Sequence, residues 1–381
     1  MTDDLPPNPA LLPAGLRDLL PPDAETEASA VEALMDVFAA HGYQRVKPPL
    51  LEFEDGLLAG SGAAVADQTF RLMDPDTRRM MGLRADMTPQ VARIATTRLG
   101  GAPRPLRLSY AGQCLRVSGG QMAPDRQVAQ AGIELIGHDS PAADAEMVLV
   151  GAEALAAVGL HRLSFDLLLP SFVPALLDEA GVPASRRREL THALDRKDAA
   201  EVSAHGGALA DTLTSLLMAA GPADGALAAL RNASLPASVR AMAQRLEAVV
   251  ETIRAAAPGL RLTVDPVEFR GLRYHTGICM TVYAPGRHEE LGRGGRYVCG
   301  DSEPATGLTL YPDAVLRAAP ARSARPRVYL PAVAVAEGAG LRARGFATVP
   351  ALGSRGSDIS EARRLRCTHI FIDGALAELT E

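Results

Sequence analysis

Gln127-Val128-Ala129-Gln130-Ala131-Gly132-Ile133-Glu134-Leu135-Ile136 reads as a β-strand with two unlike faces. Side chains alternate across a strand, so Ala129, Ala131, Ile133 and Leu135 share one face, and Val128, Gln130, Gly132, Glu134 and Ile136 share the other. The first face suits a core. The second sets a carboxamide and a carboxylate on either side of a glycine, which opens room between them. Taken alone, the segment fits a half-exposed strand with Gln130 and Glu134 turned to solvent. Polar clusters of the same kind in other segments shift the balance toward a concave site. A second strand, residues 106–116, faces this one across a polar loop.

Outward from that pair, Val31, Leu34, Met35 and Phe38 fall at helical spacing within residues 24–41, and Gly42 follows as a stop. Residues 43–52 begin as an alternating strand, and Pro48 and Pro49 confine it to an edge or an interface. Thr88-Pro89 reads as a helix start, with Thr as N-cap and Pro in the first position. Ser140-Pro141 opens another helix, with Met147, Val150, Ala154 and Val158 on one stripe. From about 170 to 258, Ala, Leu and Arg dominate and helical spacing prevails. Strand character returns at 260–264 and, after an interruption, at 278–283. Past an Arg- and Ala-rich linker at 317–327, residues 328–330, 346–349 and 369–372 read as three short strands separated by two helical stretches. The expected organisation is a core of residues 1–168 and 259–318, a helical insertion over 169–258, and a small C-terminal α/β unit over 319–381.

The chain has 381 residues, a net charge of −6 and a pI near 5.8, so no general attraction to phosphate backbones is expected. The N-terminus lacks the basic and apolar regions of a signal peptide, and the apolar stretch 148–160 is too short to span a bilayer. Cytoplasm is the default expectation. The four cysteines form no Cys-x-x-Cys pair and the eight histidines form no metal-ligand spacing, so neither a metal nor a cofactor is expected.

Three further segments concentrate polar groups. Leu83-Arg84-Ala85-Asp86-Met87-Thr88-Pro89 puts a carboxylate and a hydroxyl at a helix start, where an anion can hold an ammonium group; plain N-capping by Thr88 explains it equally. Phe269-Arg270-Gly271-Leu272-Arg273-Tyr274-His275-Thr276-Gly277 crowds arginines, a tyrosine and a histidine around two glycines. Arginine suits bidentate capture of a carboxylate, and glycine permits close backbone approach; a strand bulge with surface charges is the plainer reading. Gly292-Arg293-Gly294-Gly295-Arg296-Tyr297 is a weak phosphate loop, because it neither follows the required strand nor opens a helix. Together the segments suit a free amino acid, histidine best of all.

In order and spacing these segments resemble the catalytic core of histidyl-tRNA synthetase. That resemblance implies an α+β fold: a class II aminoacyl-tRNA synthetase-like antiparallel sheet flanked by helices, with a helical insertion and a small C-terminal α/β unit. Residues 13–21 look like the family's opening. Gly42-Tyr43 through Pro49 and Glu52 look like motif 1, which implies a homodimer. The 83–89 segment is similar to the loop that holds the substrate amine, with Asp86 where synthetases usually carry Glu. Cys114-Leu115-Arg116 with residues 127–137 looks like motif 2, in which Arg116 would contact the reacting carboxylate and phosphate, and Gln130 and Glu134 the histidine amine and imidazole. The 269–277 segment resembles the histidine signature Arg-Gly-Leu-Asp-Tyr-Tyr-Thr-Gly. By that match Arg270 would bind the carboxylate while Tyr274 and His275 border the ring, so the implied histidine-binding set is Asp86, Thr88, Arg116, Gln130, Glu134, Arg270, Tyr274 and His275. His275 and Arg273 replace the family's tyrosine and aspartate. A bulge near Gly271 is required for Arg270 and His275 to reach one ligand.

Three departures point away from aminoacylation. Motif 3 reads Gly307-Leu308-Thr309-Leu310-Tyr311-Pro312-Asp313-Ala314, so Ala314 stands where an arginine would grip ATP phosphates, and Tyr311 and Pro312 would spoil the strand-to-helix passage. The motif 2 loop, residues 117–125, holds one acid and no base. Only 63 residues follow position 318, too few for the usual anticodon-binding domain. This combination resembles the regulatory subunit of ATP phosphoribosyltransferase, in which a synthetase-like chain joins a short-form catalytic subunit in a hetero-octamer, is needed for its activity and confers feedback inhibition by L-histidine. No catalytic residue, nucleic acid or membrane partner is then expected. Ala193-Leu194-Asp195-Arg196-Lys197-Asp198 also looks like that subfamily, and reads equally well as a solvated helix face. The alternatives are a histidyl-tRNA synthetase with a degenerate motif 3 and a free-standing histidine-binding module.

Overall fold

The computed structural model describes residues 10–119, 124–269, 274–321, 324–353 and 357–379. The chain divides into two compact units, Met1–Pro320 and Ala321–Glu381.

The first unit is built on a nine-stranded sheet. Its spatial order runs Gln44–Arg45, Leu106–Leu115, Gln127–Ile136, Glu303–Leu310, Glu290–Cys299, His275–Tyr283, Ser164–Leu168, Arg261–Asp265, Gly221–Pro222. Gln44–Arg45 pairs parallel to its neighbour, as does Ser164–Leu168 to Arg261–Asp265, and the remaining pairs are antiparallel. Gln44–Arg45 lies at the sheet edge, and Pro48 and Pro49 fall beyond its end, outside the ladder. Helices Asp23–Ala40 and Pro141–Ala157 bury Leu34, Phe38, Met147, Ala154 and Leu155 against Ala131, Ile133 and Leu135. Ser140 caps the second helix by accepting from the Ala143 N–H. The opposite face of the same strand is also covered: Ile136, Leu108 and Tyr110 pack with Met87, Val91 and Ala95 around the helix Thr88–Thr96. Gln127–Ile136 is therefore buried on both faces, and the half-exposed strand is ruled out.

A three-stranded sheet, Leu51–Phe53, Met80–Leu83 and Arg71–Met73 with Met80–Leu83 in the middle, delivers the chain to Asp86. Helices from Phe172–Glu179 to Ala237–Ala256 occupy the segment expected to be helical, and the last of them lies along Pro141–Ala157. The 193–198 stretch is a helix end followed by a turn, with Ala193 and Leu194 buried. The helix Ala184–Asp195 ends there, Lys197 takes the left-handed φ of 55°, and Asp198 caps Ala199–His205 through the Glu201 N–H.

Arg296 and Asp144 form an ion pair at 2.7 Å, with side chains only 6% and 0% exposed. Arg245, on Ala237–Ala256, shares the same carboxylate at 3.0 Å. The cluster joins a sheet strand, the helix behind the sheet and the last insertion helix.

The C-terminal unit has four strands, where three were expected. Ala347–Pro350, Arg327–Leu330 and His369–Ile372 are parallel, and Ala375–Glu378 adds an antiparallel edge. The extra hairpin turns on Asp373-Gly374, with φ of 52° and 77°, as a two-residue Asp-Gly hairpin turn requires. Among the described residues no helix is long and apolar enough to cross a membrane, and no His/Cys/Asp/Glu group could hold a metal ion.

Removing one partner of a buried pair strands the other charge, so Asp144→Ala should destabilise the chain by about 3–5 kcal/mol in urea denaturation. Asp139, whose side chain is 55% exposed where it meets Arg245, should cost less than about 1 kcal/mol when replaced by Ala. Equal losses for the two variants would contradict a buried anchor at Asp144.

Candidate functional site

The polar face of Gln127–Ile136 forms one wall of a closed polar cluster. Gln130 and Glu134 are each 1% exposed. The Gln130 carbonyl oxygen accepts from the Met87 N–H at 3.0 Å and from the Cys114 thiol at 3.2 Å, while its amide nitrogen donates to Asp86 at 3.3 Å. The other oxygen of Asp86 accepts from the Thr88 N–H at 2.8 Å. Asp86, not Thr88, thus supplies the side chain that satisfies the start of Thr88–Thr96, because its carboxylate sits two residues ahead of that free amide. The Thr88 hydroxyl is released to reach Glu134 at 3.2 Å and Tyr110 at 3.3 Å.

Glu134 accepts from three hydroxyls. Thr88 and Tyr110 each reach one oxygen at 3.2 Å, and Tyr297 reaches the other at 3.0 Å. Glycine makes this packing possible on two sides. A Cβ on Gly307 would lie 1.9 Å from a Glu134 oxygen, and one on Gly132 would lie 2.5 Å from the Tyr110 ring. The room expected beside Gly132 is therefore filled by Tyr110. Burial, reinforced by the charge of Asp86, pushes the Glu134 carboxyl up to about 8 against the three donors. Below that value the carboxyl is held neutral, and one of the three hydroxyl contacts then runs the other way, with the carboxyl as donor.

Tyr274 and His275 stack at 4.0 Å with a 30° tilt, and Tyr274 meets Tyr297 edge-on at 6.1 Å. Burial, with Arg293 nearby, lowers His275 to about 4, so its imidazole is neutral. Its Nδ1 is buried without a hydrogen-bond partner among the described residues. The bulge expected near Gly271, and Arg270 itself, lie outside the described residues. The strand does slip register between His275 and Cys279. Arg116 follows the strand Leu106–Leu115 and is half-buried.

The Gly292–Tyr297 run is a strand interior, in keeping with its weakness as a phosphate loop. The strand-to-helix passage at motif 3 is intact, which corrects the expectation from Tyr311 and Pro312: strand Glu303–Leu310 passes directly into helix Pro312–Ala318. Proline is well placed there, since the first helical residue has no partner for an N–H. Ala314 packs into the main core. Tyr311 stands close enough to Asp86, Arg116 and Arg293 for their charges to act on its hydroxyl. Tyr110, Tyr297 and Gly307 are the site residues that sequence reasoning missed. Tyr110 shares the strand parity of Leu106 and Leu108, but only its register opposite Gly132 brings it to Glu134.

The family model described as histidyl-tRNA synthetase matches residues 15–315. A relative from Gluconobacter oxydans, called ATP phosphoribosyltransferase regulatory subunit, is 54% identical and the match covers 98% of each sequence. The chain belongs to this family of synthetase-like regulatory subunits. Another relative of that name, from Rhodospirillum centenum, is 54% identical with full coverage of both sequences. Among solved structures, an ATP phosphoribosyltransferase regulatory subunit/histidyl-tRNA synthetase from Bacillus halodurans matches with a TM-score of 0.80 at 23% identity, over 94% of this chain and 97% of that one. A histidyl-tRNA synthetase from a Nostoc species matches with a TM-score of 0.79 at 18% identity, over 96% and 91%. At these identities the likeness establishes the class II synthetase-like fold.

Because the folded state holds the Glu134 proton up to about 8 and an ordinary carboxyl releases it near 4.5, the native chain binds the extra proton between those values. Stability from this group is full below that window and falls as pH rises through it. Glu134→Gln should flatten this part of the profile in urea denaturation at pH 5.5 and pH 8.5. An unchanged slope would mean that Glu134 is ionised in the native chain.

Proposed function

We propose that this chain is a non-catalytic regulatory subunit of ATP phosphoribosyltransferase that binds L-histidine in the cluster around Glu134. The ammonium group is held by Asp86, with Thr88 and Gln130 beside it. The imidazole is read by Glu134 and by the hydroxyls gathered around it, and is bordered by Tyr274 and His275. Arg116 and Arg270 serve the carboxylate. A neutral imidazole offers one donor and one acceptor, and a protonated carboxyl among hydroxyls can answer both. One contrast supports the reading: the polar cluster around Glu134 is buried and hydrogen-bonded, while Ala314 leaves no guanidinium at the motif 3 position for a triphosphate. Deleting a preorganised stabiliser of developing charge costs on the order of 10²–10³ in rate, which disfavours adenylate formation.

In this reading the chain acts in the cytoplasm on the first step of histidine biosynthesis. It forms a homodimer through the segment that resembles motif 1, and joins short-form catalytic subunits in a hetero-octamer. Histidine inhibits by binding two quaternary states with different affinity, which shifts the partner toward its inactive form. Neither nucleic acid nor membrane takes part.

Isothermal titration of the purified chain should show L-histidine binding, and ATP–pyrophosphate exchange with histidine should be absent. Mixing with the short catalytic subunit should raise phosphoribosyltransferase activity, and histidine should then inhibit it. Glu134→Ala and Arg270→Ala should each raise the histidine concentration for half-inhibition at least about tenfold, or roughly 1.4 kcal/mol. Efficient exchange by the purified chain would return it to the synthetases.

A further inference from the structure

The segment Gly292-Arg293-Gly294-Gly295-Arg296-Tyr297 carries two arginines that the proposed pocket leaves unassigned. They lie within the strand Glu290–Cys299, where alternation sends them to opposite faces. Arg296 points to the helices and is locked to Asp144 and to the His138 carbonyl. Arg293 is on the other face with Gly295 and Tyr297. Tyr297 touches Glu134, and a Cβ on Gly295 would lie 2.7 Å from the His275 ring. Across the sheet Arg293 pairs with Thr309, whose hydroxyl lies 2.8 Å from that of Tyr110. Arg293, Gly295 and Tyr297 therefore form a row on one strand face that passes His275 and ends at Glu134.

At the outer end of that row Arg293 borders an open groove of about 950 Å³ that is also lined by Asp166, Thr281 and Tyr283. Its only ion pair among the described residues is with Glu290, three residues back, whose one oxygen it meets at 2.5 and 2.9 Å, and its side chain is 44% exposed. A pair so open to water holds its partner weakly and can be exchanged. The charges of Arg293 and Asp86 both act on His275 and on Tyr311, so a cation and an anion are felt at the same rings. A zwitterion needs a partner of each sign.

We propose that Arg293 leaves Glu290 to join Arg116 and Arg270 on the α-carboxylate of the amino-acid effector, and so strengthens the pocket's preference for amino acids over their carboxylate-free analogues. The guanidinium fork matches a carboxylate in a bidentate geometry that a single ammonium cannot reproduce. This assignment rests on the pocket being the histidine site.

The test is isothermal titration of the full chain with L-histidine and with L-histidinol, which keeps the ammonium and the imidazole and replaces the carboxylate by an alcohol. Wild type, Arg293→Gln and Arg293→Lys are compared, with circular dichroism melting curves showing that each variant is folded. Arg293→Gln should lose at least about tenfold in affinity for L-histidine while L-histidinol binding stays within about twofold. Arg293→Lys should recover part of the loss. Equal weakening for both ligands would make Arg293 merely structural, and an unchanged ratio would leave the carboxylate to other groups; either result overturns the assignment. Failure of the wild type to bind L-histidine at all would instead remove the histidine pocket, and this assignment with it.

Discussion

A carboxyl group with no access to water governs this architecture. Glu134 lies on a strand covered on both faces, so every polar atom near it must find a partner within the protein. Thr88, Tyr110 and Tyr297 meet that demand from three different elements, and Gly307 leaves the space for it. The constraint reaches outward. Thr88 can turn its hydroxyl to Glu134 because Asp86 has taken over the helix start, and Asp86 is steadied in turn by Gln130. A buried network in which each member occupies another's donor specifies one arrangement and penalises every partial one.

The sheet divides its labour by face. Toward the helices lie the apolar residues Ala131, Ile133 and Leu135, together with charged anchors to the helix Pro141–Ala157, Arg296 on buried Asp144 and Arg107 on Glu146. Toward the helix Thr88–Thr96 lie the groups with unspent chemistry: Gln130, Glu134, Tyr297, Arg293 and the orphaned Nδ1 of His275. Two arginines three residues apart on one strand thus have opposite fates. One is immobilised among carboxylates and carbonyls, and the other stands at a rim where its partner is replaceable.

Much of this was legible in the residues, and the remainder has physical reasons. The alternation of 127–136 gives the strand and brings Gln130 and Glu134 to one face, and the spacing of Leu34, Met35 and Phe38 gives the first helix. Strand parity cannot say which residue lies opposite, so Tyr110 and Tyr297 went unnoticed although both were in view. Pairing register is a long-range property, and one residue of slip would have sent Tyr110 to the other face. Two capping-competent side chains, Asp86 and Thr88, lie within three residues, and local sequence does not rank them. The Asp373-Gly374 hairpin carried a strong local signal, but the strand after it, Ala-Leu-Ala-Glu, has too little β-branched or aromatic content to stand out.

Asp86 has one oxygen on a backbone amide at the head of Thr88–Thr96, where a negative charge compensates the helix dipole. A cation arriving at that carboxylate would partly cancel the compensation. The same helix grips residues 49–52 through Gln90, which donates to the Pro49 carbonyl at 2.8 Å and to Glu52 at 2.7 Å, and through Arg93 on Glu52. The helix whose start Asp86 satisfies is thereby the same one that holds the stretch of chain resembling a subunit-pairing motif. Anything that shifted that helix start would be felt at residues 49–52 with no wholesale rearrangement of the sheet beneath it.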